Sequence, residues 1–252
     1  MDCFTSIFER IEEKYLMSES QYDSFFAVMR QYTVPDSYGR SVISNIYYDT
    51  PNDSLIRASL EKPVYKEKLR LRCYETPSSD PVQAARTTAF VEIKKKFDDM
   101  VYKRRVAMTY PQAIAFLNKG IRPDTDNTVD FQILNEIEWL IKSNPGIRPK
   151  MFISYERNAY FSSDDKRVRI TFDKNIQWRT VSLALSAGIF GAQLLGEGEV
   201  LAEIKLPEAM PLWMARALDI NKIYPVSLSK YGRAYQLFQI QAAKAEGVTF
   251  CA

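Results

Sequence analysis

The chain has 252 residues, 46% hydrophobic and 26% charged, the balance of a folded globular protein, and nothing in that length demands a second independent domain. It contains no histidine, which excludes Ser-His and Cys-His catalysis and every His-ligated metal site. A net charge of +3 argues against a general nucleic-acid binder, so the placement of the cations matters more than their number.

The N-terminal stretch MDCFTSIFERIEEKY has acidic residues in its first dozen and no long apolar run, unlike a signal peptide. The three cysteines, Cys3, Cys73 and Cys251, are widely separated and lack C-x-x-C spacing. They point to neither a disulfide framework nor a thiolate metal site, and fit a reducing cytoplasm.

In chain order, the first period-two alternation puts Arg10, Glu12 and Lys14 on one side of a strand, with Ile11 and Tyr15 opposite. Ser18 is placed to cap a helix running to about Arg30. SVISNIYYDTP then reads as a β-rich run ended by the turn chemistry of Asp49, Thr50 and Pro51. VYKEKLRLRCY is the most informative stretch: Lys66, Lys68, Arg70 and Arg72 share one face, and Leu69, Leu71 and Cys73 share the other. After a loop at 75–88 rich in Pro, Ser and Thr, FVEIKKK repeats the design, with Glu92, Lys94 and Lys96 opposite Val91 and Ile93. Lys103 and Arg105 continue it in VYKRRVAM, beyond a hairpin turn between Phe97 and Met100.

Residues 111–143 read as two helices joined by IRPDTDN. Strands then return. MFISYERNA brings Tyr155 and Arg157 into phase, and DKRVRITFD sets Arg167, Arg169, Thr171 and Asp173 opposite Val168, Ile170 and Phe172. The most apolar stretch, 181–195, is too short for a bilayer span and is broken by Ser, Gly and Gln, so a buried, partly irregular segment is expected. EVLAEIKLP places Glu199, Glu203 and Lys205 opposite Val200, Ala202, Ile204 and Leu206, and a last helix over about 228–246 carries Lys230 and Arg233.

An even number of strands, about eight, suits closure of an antiparallel sheet. The expected fold is α+β: a closed eight-stranded antiparallel barrel with helices packed outside over the apolar faces, and a C-terminal helix at one end. The polar faces read as selectively cationic through Lys14, Lys68, Arg70, Arg72, Lys94, Lys103, Arg105, Arg157, Arg169 and Lys205. Like charges on neighbouring strands repel, and more so as water is excluded, which a lumen receiving phosphates would resolve. The glutamates on these faces, Glu12, Glu92 and Glu203, either neutralise part of the lining or hold a divalent metal.

Nine motifs in order, RIEEKYL, IYYDTP, YKEKLRLRCY, FVEIKKK, YKRR, YERNAY, RVRITFD, AEIKLP and SLSKYGR, resemble the VTC domain, a polyphosphate polymerase domain of the triphosphate tunnel metalloenzyme (CYTH) superfamily, in stand-alone bacterial form. The resemblance runs from Glu9 to about Tyr235 and makes 1–252 one VTC-like tunnel domain. It implies transfer of the terminal phosphoryl group of ATP onto polyphosphate, with Mn2+ or Mg2+. By the family's pattern Lys14, Arg70, Arg72, Lys94, Lys103, Arg157 and Arg169 bind phosphate, with Lys14, Arg70, Arg72 and Lys94 carrying the catalytic role. Tyr155 contacts phosphate, Glu203, with Glu12, holds metal, and Lys230 stands at the tunnel end.

Two positions depart from the family. Triphosphatases of the superfamily open with E-x-E-x-K, where this chain has Arg10, and Ser227 replaces a lysine of the eukaryotic polymerase. The first departure favours a polymerase over a hydrolase of triphosphate or polyphosphate. A non-catalytic polyphosphate-binding module is the alternative of another class, and a single-strand nucleic-acid binder is disfavoured by the low net charge. A membrane-protein partner follows from the eukaryotic family members alone and has no support in the sequence.

Overall fold

The computed structural model describes residues 11–245 apart from 62 and 99, so the readings of Arg10, Cys3 and Cys251 lie outside the described residues. The elements are, in order, β1 (Ile11–Met17), α1 (Glu19–Met29), β2 (Thr33–Asp49), α2 (Ser54–Leu60), β3 (Tyr65–Cys73), α3 (Pro81–Ala84), β4 (Thr88–Phe97) and β5 (Met100–Thr109). There follow α4 (Tyr110–Lys119), α5 (Thr128–Ser143), β6 (Arg148–Ser162), β7 (Arg169–Arg179), β8 (Ala192–Gln193), β9 (Val200–Leu206), α6 (Leu212–Ile220) and α7 (Lys230–Ala245).

Strand pairing follows the order β1-β9-β7-β6-β2-β3-β4-β5, with β8 added beside β7, and among the described residues no ladder returns from β5 to β1. The sheet is open and nine-stranded, which corrects the closed eight-stranded barrel. An even count permits closure without compelling it, because the end strands must also tilt and stagger into register. β5 ends the path with Lys103 and Arg105 exposed, and cations on an edge strand oppose further pairing.

The chain forms two compact units. The first comprises 11–42, 155–176 and 195–228. Its core joins Tyr15 and Met17 of β1, Ile170 and Phe172 of β7, and Ala202 and Ile204 of β9 to Phe25 and Met29 of α1 and Met214 of α6. Helix α1 starts where the sequence placed it. The Ser18 hydroxyl accepts from the Gln21 amide at 3.2 Å while Gln21 accepts from the Ser18 amide at 3.0 Å, a reciprocal cap that satisfies two orphan donors.

The second unit comprises 43–154, 177–194 and 229–245. Leu69, Leu71, Val91, Ile93 and Val106 on one face of β3–β5 pack against Phe116 of α4 and Leu134, Ile137 and Leu140 of α5. Burying such side chains contributes roughly 1.5–3 kcal/mol each, which commits the opposite face of the same strands to the charged residues. Phe97 pairs with Met100 across a two-residue turn, and Asp98 takes φ +52°, the left-handed conformation that such a tight hairpin requires. Cys73 is fully buried in this core, which pushes its thiol up to about 12 and makes it inert.

The stretch 181–195 is irregular but not buried: within it only Leu185 and Leu194 are enclosed. Its anchor is Arg179, which is 5% exposed and lies between the Phe152 ring at 3.5 Å and the Phe190 ring at 4.0 Å. Its guanidinium donates to the carbonyls of Ser182, Ala184 and Phe190. Backbone oxygens gathered on one arginine, together with the buried Leu185, hold this stretch. Among the described residues no helix is long and apolar enough to cross a membrane.

Candidate functional site

The register of β3, β4 and β5 turns the sequence pattern into a surface. Arg70 lies opposite Glu92, and Glu92 opposite Arg105; Lys68 lies opposite Lys94, and Lys94 opposite Lys103; Lys66 lies opposite Lys96, and Arg72 opposite Phe90. Eight cations and one acid therefore alternate onto one face of three strands. Glu92 is the hub, 1% exposed, with its carboxylate 2.5 Å from Arg70 Nε, 3.8 Å from Arg72 Nε and 2.9 Å from Lys103 Nζ. Burial would raise its pKa, but Arg70, Arg72 and Lys103 outweigh that and hold it at about 2. The Lys103 amine is pulled down to about 8 by its desolvation, with Arg70 and Arg72 adding to the fall and Glu92 opposing it.

Strand β2 and helix α7 complete this face. Asn45 accepts from Arg72 Nε at 2.8 Å and donates to the Ile153 carbonyl at 2.9 Å, and the Tyr47 hydroxyl accepts from Arg70 at 3.3 Å. Burial would raise the Tyr47 phenol, yet Arg70, Arg72 and Lys230 together hold it below its ordinary value. At the start of α7, Lys68 donates to the Ser229 hydroxyl at 2.9 Å, next to Lys230.

A second group belongs to the other unit. Across β1, β9 and β7, Lys14 lies opposite Glu203 and Glu203 opposite Thr171, while Glu12 lies opposite Lys205 and Lys205 opposite Arg169. Arg157 of β6 grips the fully buried Asp173 through two bonds of 2.6 and 2.7 Å and stands 3.4 Å from Glu203. Desolvation would lower the Arg157 pKa, but Tyr155, Asp173 and Glu203 carry it well above the usual arginine value. Lys205 stands between two carboxylates, 3.4 Å from Glu203 and 3.6 Å from Glu12, and Glu12 is 3.6 Å from Lys14. Lys14 also donates to the Leu228 carbonyl at 3.0 Å, and Arg169 pairs with Asp36 at 3.1 Å. Lys14, Arg157, Arg169 and Lys205 are thus matched by Glu12, Asp36, Asp173 and Glu203. The expectation of a selectively cationic face fails here, because these strands carry acids at the same phase as their bases.

The structure thereby divides the expected site residues into two groups. Lys68, Arg70, Arg72, Lys94, Lys103, Arg105 and Lys230 fall in the first, and Glu12, Lys14, Tyr155, Arg157, Arg169, Glu203 and Lys205 in the second. Sequence reasoning missed Asn45, Tyr47, Ser229 and Tyr231, uncharged residues whose signal was only their place in IYYDTP and SLSKYGR. Among the described residues no three His, Cys, Asp or Glu side chains cluster as a ready metal site. Glu12 and Glu203, which share Lys205, still suit a hard divalent ion that takes one or two protein carboxylates and draws its other ligands from phosphate.

The family model described as VTC domain matches residues 9–239. Vacuolar transporter chaperone complex subunit 4 of Schizosaccharomyces pombe is 26% identical over 153 residues, 54% of this chain but only 20% of that protein's length. Among solved structures, a putative adenylate cyclase from Bacillus halodurans superposes with a TM-score of 0.52 at 13% identity, over 87% of this chain and 93% of the other. A putative adenylyl cyclase from Hippeastrum, described as revealing a dominant triphosphatase activity, gives 0.52 at 13% identity over 90% and 95%. These two likenesses show a shared antiparallel, sheet-rich α+β fold.

Proposed function

This chain belongs to the VTC domain family, and from that premise we propose that it is a divalent-metal-dependent polyphosphate polymerase using ATP. The observation that carries the reading is the face of β3–β5, where eight cations surround a single acid. Such a surface suits a linear polyanion, and transfer between phosphates needs positioning and charge neutralisation more than covalent help. In the reaction a terminal oxygen of the polyphosphate chain bonds to the γ-phosphorus of ATP, the bond from that phosphorus to the β-γ bridging oxygen breaks, and ADP leaves.

Arg70 and Arg72 grip phosphate oxygens through their planar forks, and Lys68, Lys94, Lys103, Arg105 and Lys230 add positive charge along the chain. Lys14, Arg157, Arg169 and Tyr155 bind phosphate in the second group. Glu203 and Glu12 would hold Mg2+ or Mn2+ in exchange for the Lys205 ammonium. Bound there, the ion would offset charge on phosphate oxygens.

Pure protein incubated with ATP and Mn2+, with products resolved on a polyphosphate-stained gel, should give a growing ladder. Free phosphate without a ladder would replace the polymerase by a hydrolase, and tight polyphosphate binding with neither product under any divalent ion would leave only a binding module. Glu203→Gln should abolish turnover and retain binding; unchanged turnover would remove Glu203 as a metal ligand.

A further inference from the structure

We propose that Tyr47 is a positioning residue for Arg70, locked through Tyr231 and Asp49 by the seating of helix α7, so that this helix sets the geometry of the cationic face. The inference rests on the phosphate-binding role of Arg70 argued above.

Hydrogen bonds to two strands orient the Arg70 guanidinium: Nε donates to Glu92 of β4 at 2.5 Å, and a terminal nitrogen donates to the Tyr47 hydroxyl of β2 at 3.3 Å. Acceptors on two different strands fix the plane of the fork, and with it the direction in which phosphate is met. Tyr47 is itself held. Its ring stacks on Tyr231 of α7 with centroids 4.5 Å apart and planes 19° from parallel. The Tyr231 hydroxyl donates to the Asp49 carboxylate at 3.0 Å. Asp49 cannot yield, because it is fully buried and also accepts the backbone amides of Thr50, Leu55 and Ile56 at 2.8–2.9 Å, which ties it to the start of α2.

Helix α7 meets α2 at Gly232, where a Cβ would come to 3.0 Å from the end of the Leu60 side chain, so the glycine lets the two pack without displacing it. The same end of α7 supplies Ser229, which accepts from Lys68. Two neighbouring cations of β3 thus take their orientation from one helix, Arg70 through Tyr47 and Lys68 through Ser229.

The test is calorimetric binding of tripolyphosphate without divalent ion, so that turnover plays no part. Tyr47→Phe keeps the stacked ring and removes only the hydroxyl; affinity should fall about tenfold, the size of a hydrogen bond to a charged group. Tyr47→Phe combined with Arg70→Lys should bind no more weakly than Arg70→Lys alone, a non-additivity that a general loss of structure would not produce. Tyr48→Phe is the control, since that hydroxyl bonds instead to the exposed Asn118 of α4 at 3.1 Å, and its loss should leave affinity unchanged. Tyr231→Phe, which cuts the tie to Asp49, should weaken binding by a smaller factor. Wild-type affinity in Tyr47→Phe, equal weakening in Tyr48→Phe, or full additivity with Arg70→Lys would each overturn the proposal. A wild-type protein that binds no tripolyphosphate would instead bring down the phosphate reading, and this inference with it.

Discussion

Replacing Glu92 by Gln tests whether the acid on the cationic face stabilises the fold or merely tolerates its surroundings. Its carboxyl lies at about 2 instead of the ordinary 4.5, so the charged form is favoured in the folded protein by on the order of 3 kcal/mol. The folded pKa is the lower one. This stabilisation is therefore complete above about pH 4.5 and is lost as pH falls toward 2. The amide leaves Arg70, Arg72 and Lys103 around a neutral group, so at pH 7 the variant should melt lower by about 6–12 °C, from ~3 kcal/mol and ~2–4 °C per kcal/mol for a chain of this size.

Added tripolyphosphate should reverse the ranking of the responses. Glu92 competes with phosphate for three cations, so the variant should bind the ligand more tightly and gain more melting temperature from it than the wild type does. Scanning calorimetry at pH 7 and pH 3, with and without tripolyphosphate, reads all of these quantities, and the gap between the proteins should narrow at pH 3. A variant that melts at or above the wild type at pH 7 would refute the reasoning, because burying the charge would then cost more than its partners return.

Arg157→Leu should lose about 3–5 kcal/mol in urea unfolding by leaving the fully buried Asp173 without its partner, while Arg157→Leu with Asp173→Leu should recover most of that loss. Lys103, pulled down to about 8, should make tripolyphosphate affinity fall as pH rises from 7 to 9, since its cation is lost through that window; Lys103→Arg, charged throughout, should flatten the titrated profile.

The face on β3–β5 was legible in the sequence because its strands are consecutive. A two-residue turn between Phe97 and Met100 fixes the β4–β5 register, so period two in each strand converts directly into neighbours across it. The Ser18 cap was legible for the same reason: both partners of the box lie within one turn of helix. Helix α6 was not read, since its start at Pro211 carries no capping side chain. The reach of β2 back to Thr33 was not read, since this part carries Pro35 and Gly39, residues that weaken a strand pattern, and Gly39 takes φ +57° inside the strand.

The balance of the second group was illegible for a different reason, and that reason bears on function. Lys14 and Glu203 are neighbours through a ladder between the first and last strands, and Arg169 meets Asp36 from β2, so no local pattern reveals that each base has an acid. Period two already put Glu12, Asp173 and Glu203 in phase with these bases, but it could not say which acid meets which base. With the register known, a phosphate entering the second group must first compete with carboxylates already within 3.4–3.6 Å of Lys205, and one entering the β3–β5 face must compete with Glu92 for Arg70 and Lys103. Neutralising Arg70 or Arg72 should therefore weaken polyphosphate binding, the opposite of the gain expected from Glu92→Gln. Neutralising Glu12 or Glu203 should leave polyphosphate binding at least as strong and lower turnover, read from the products on a stained gel.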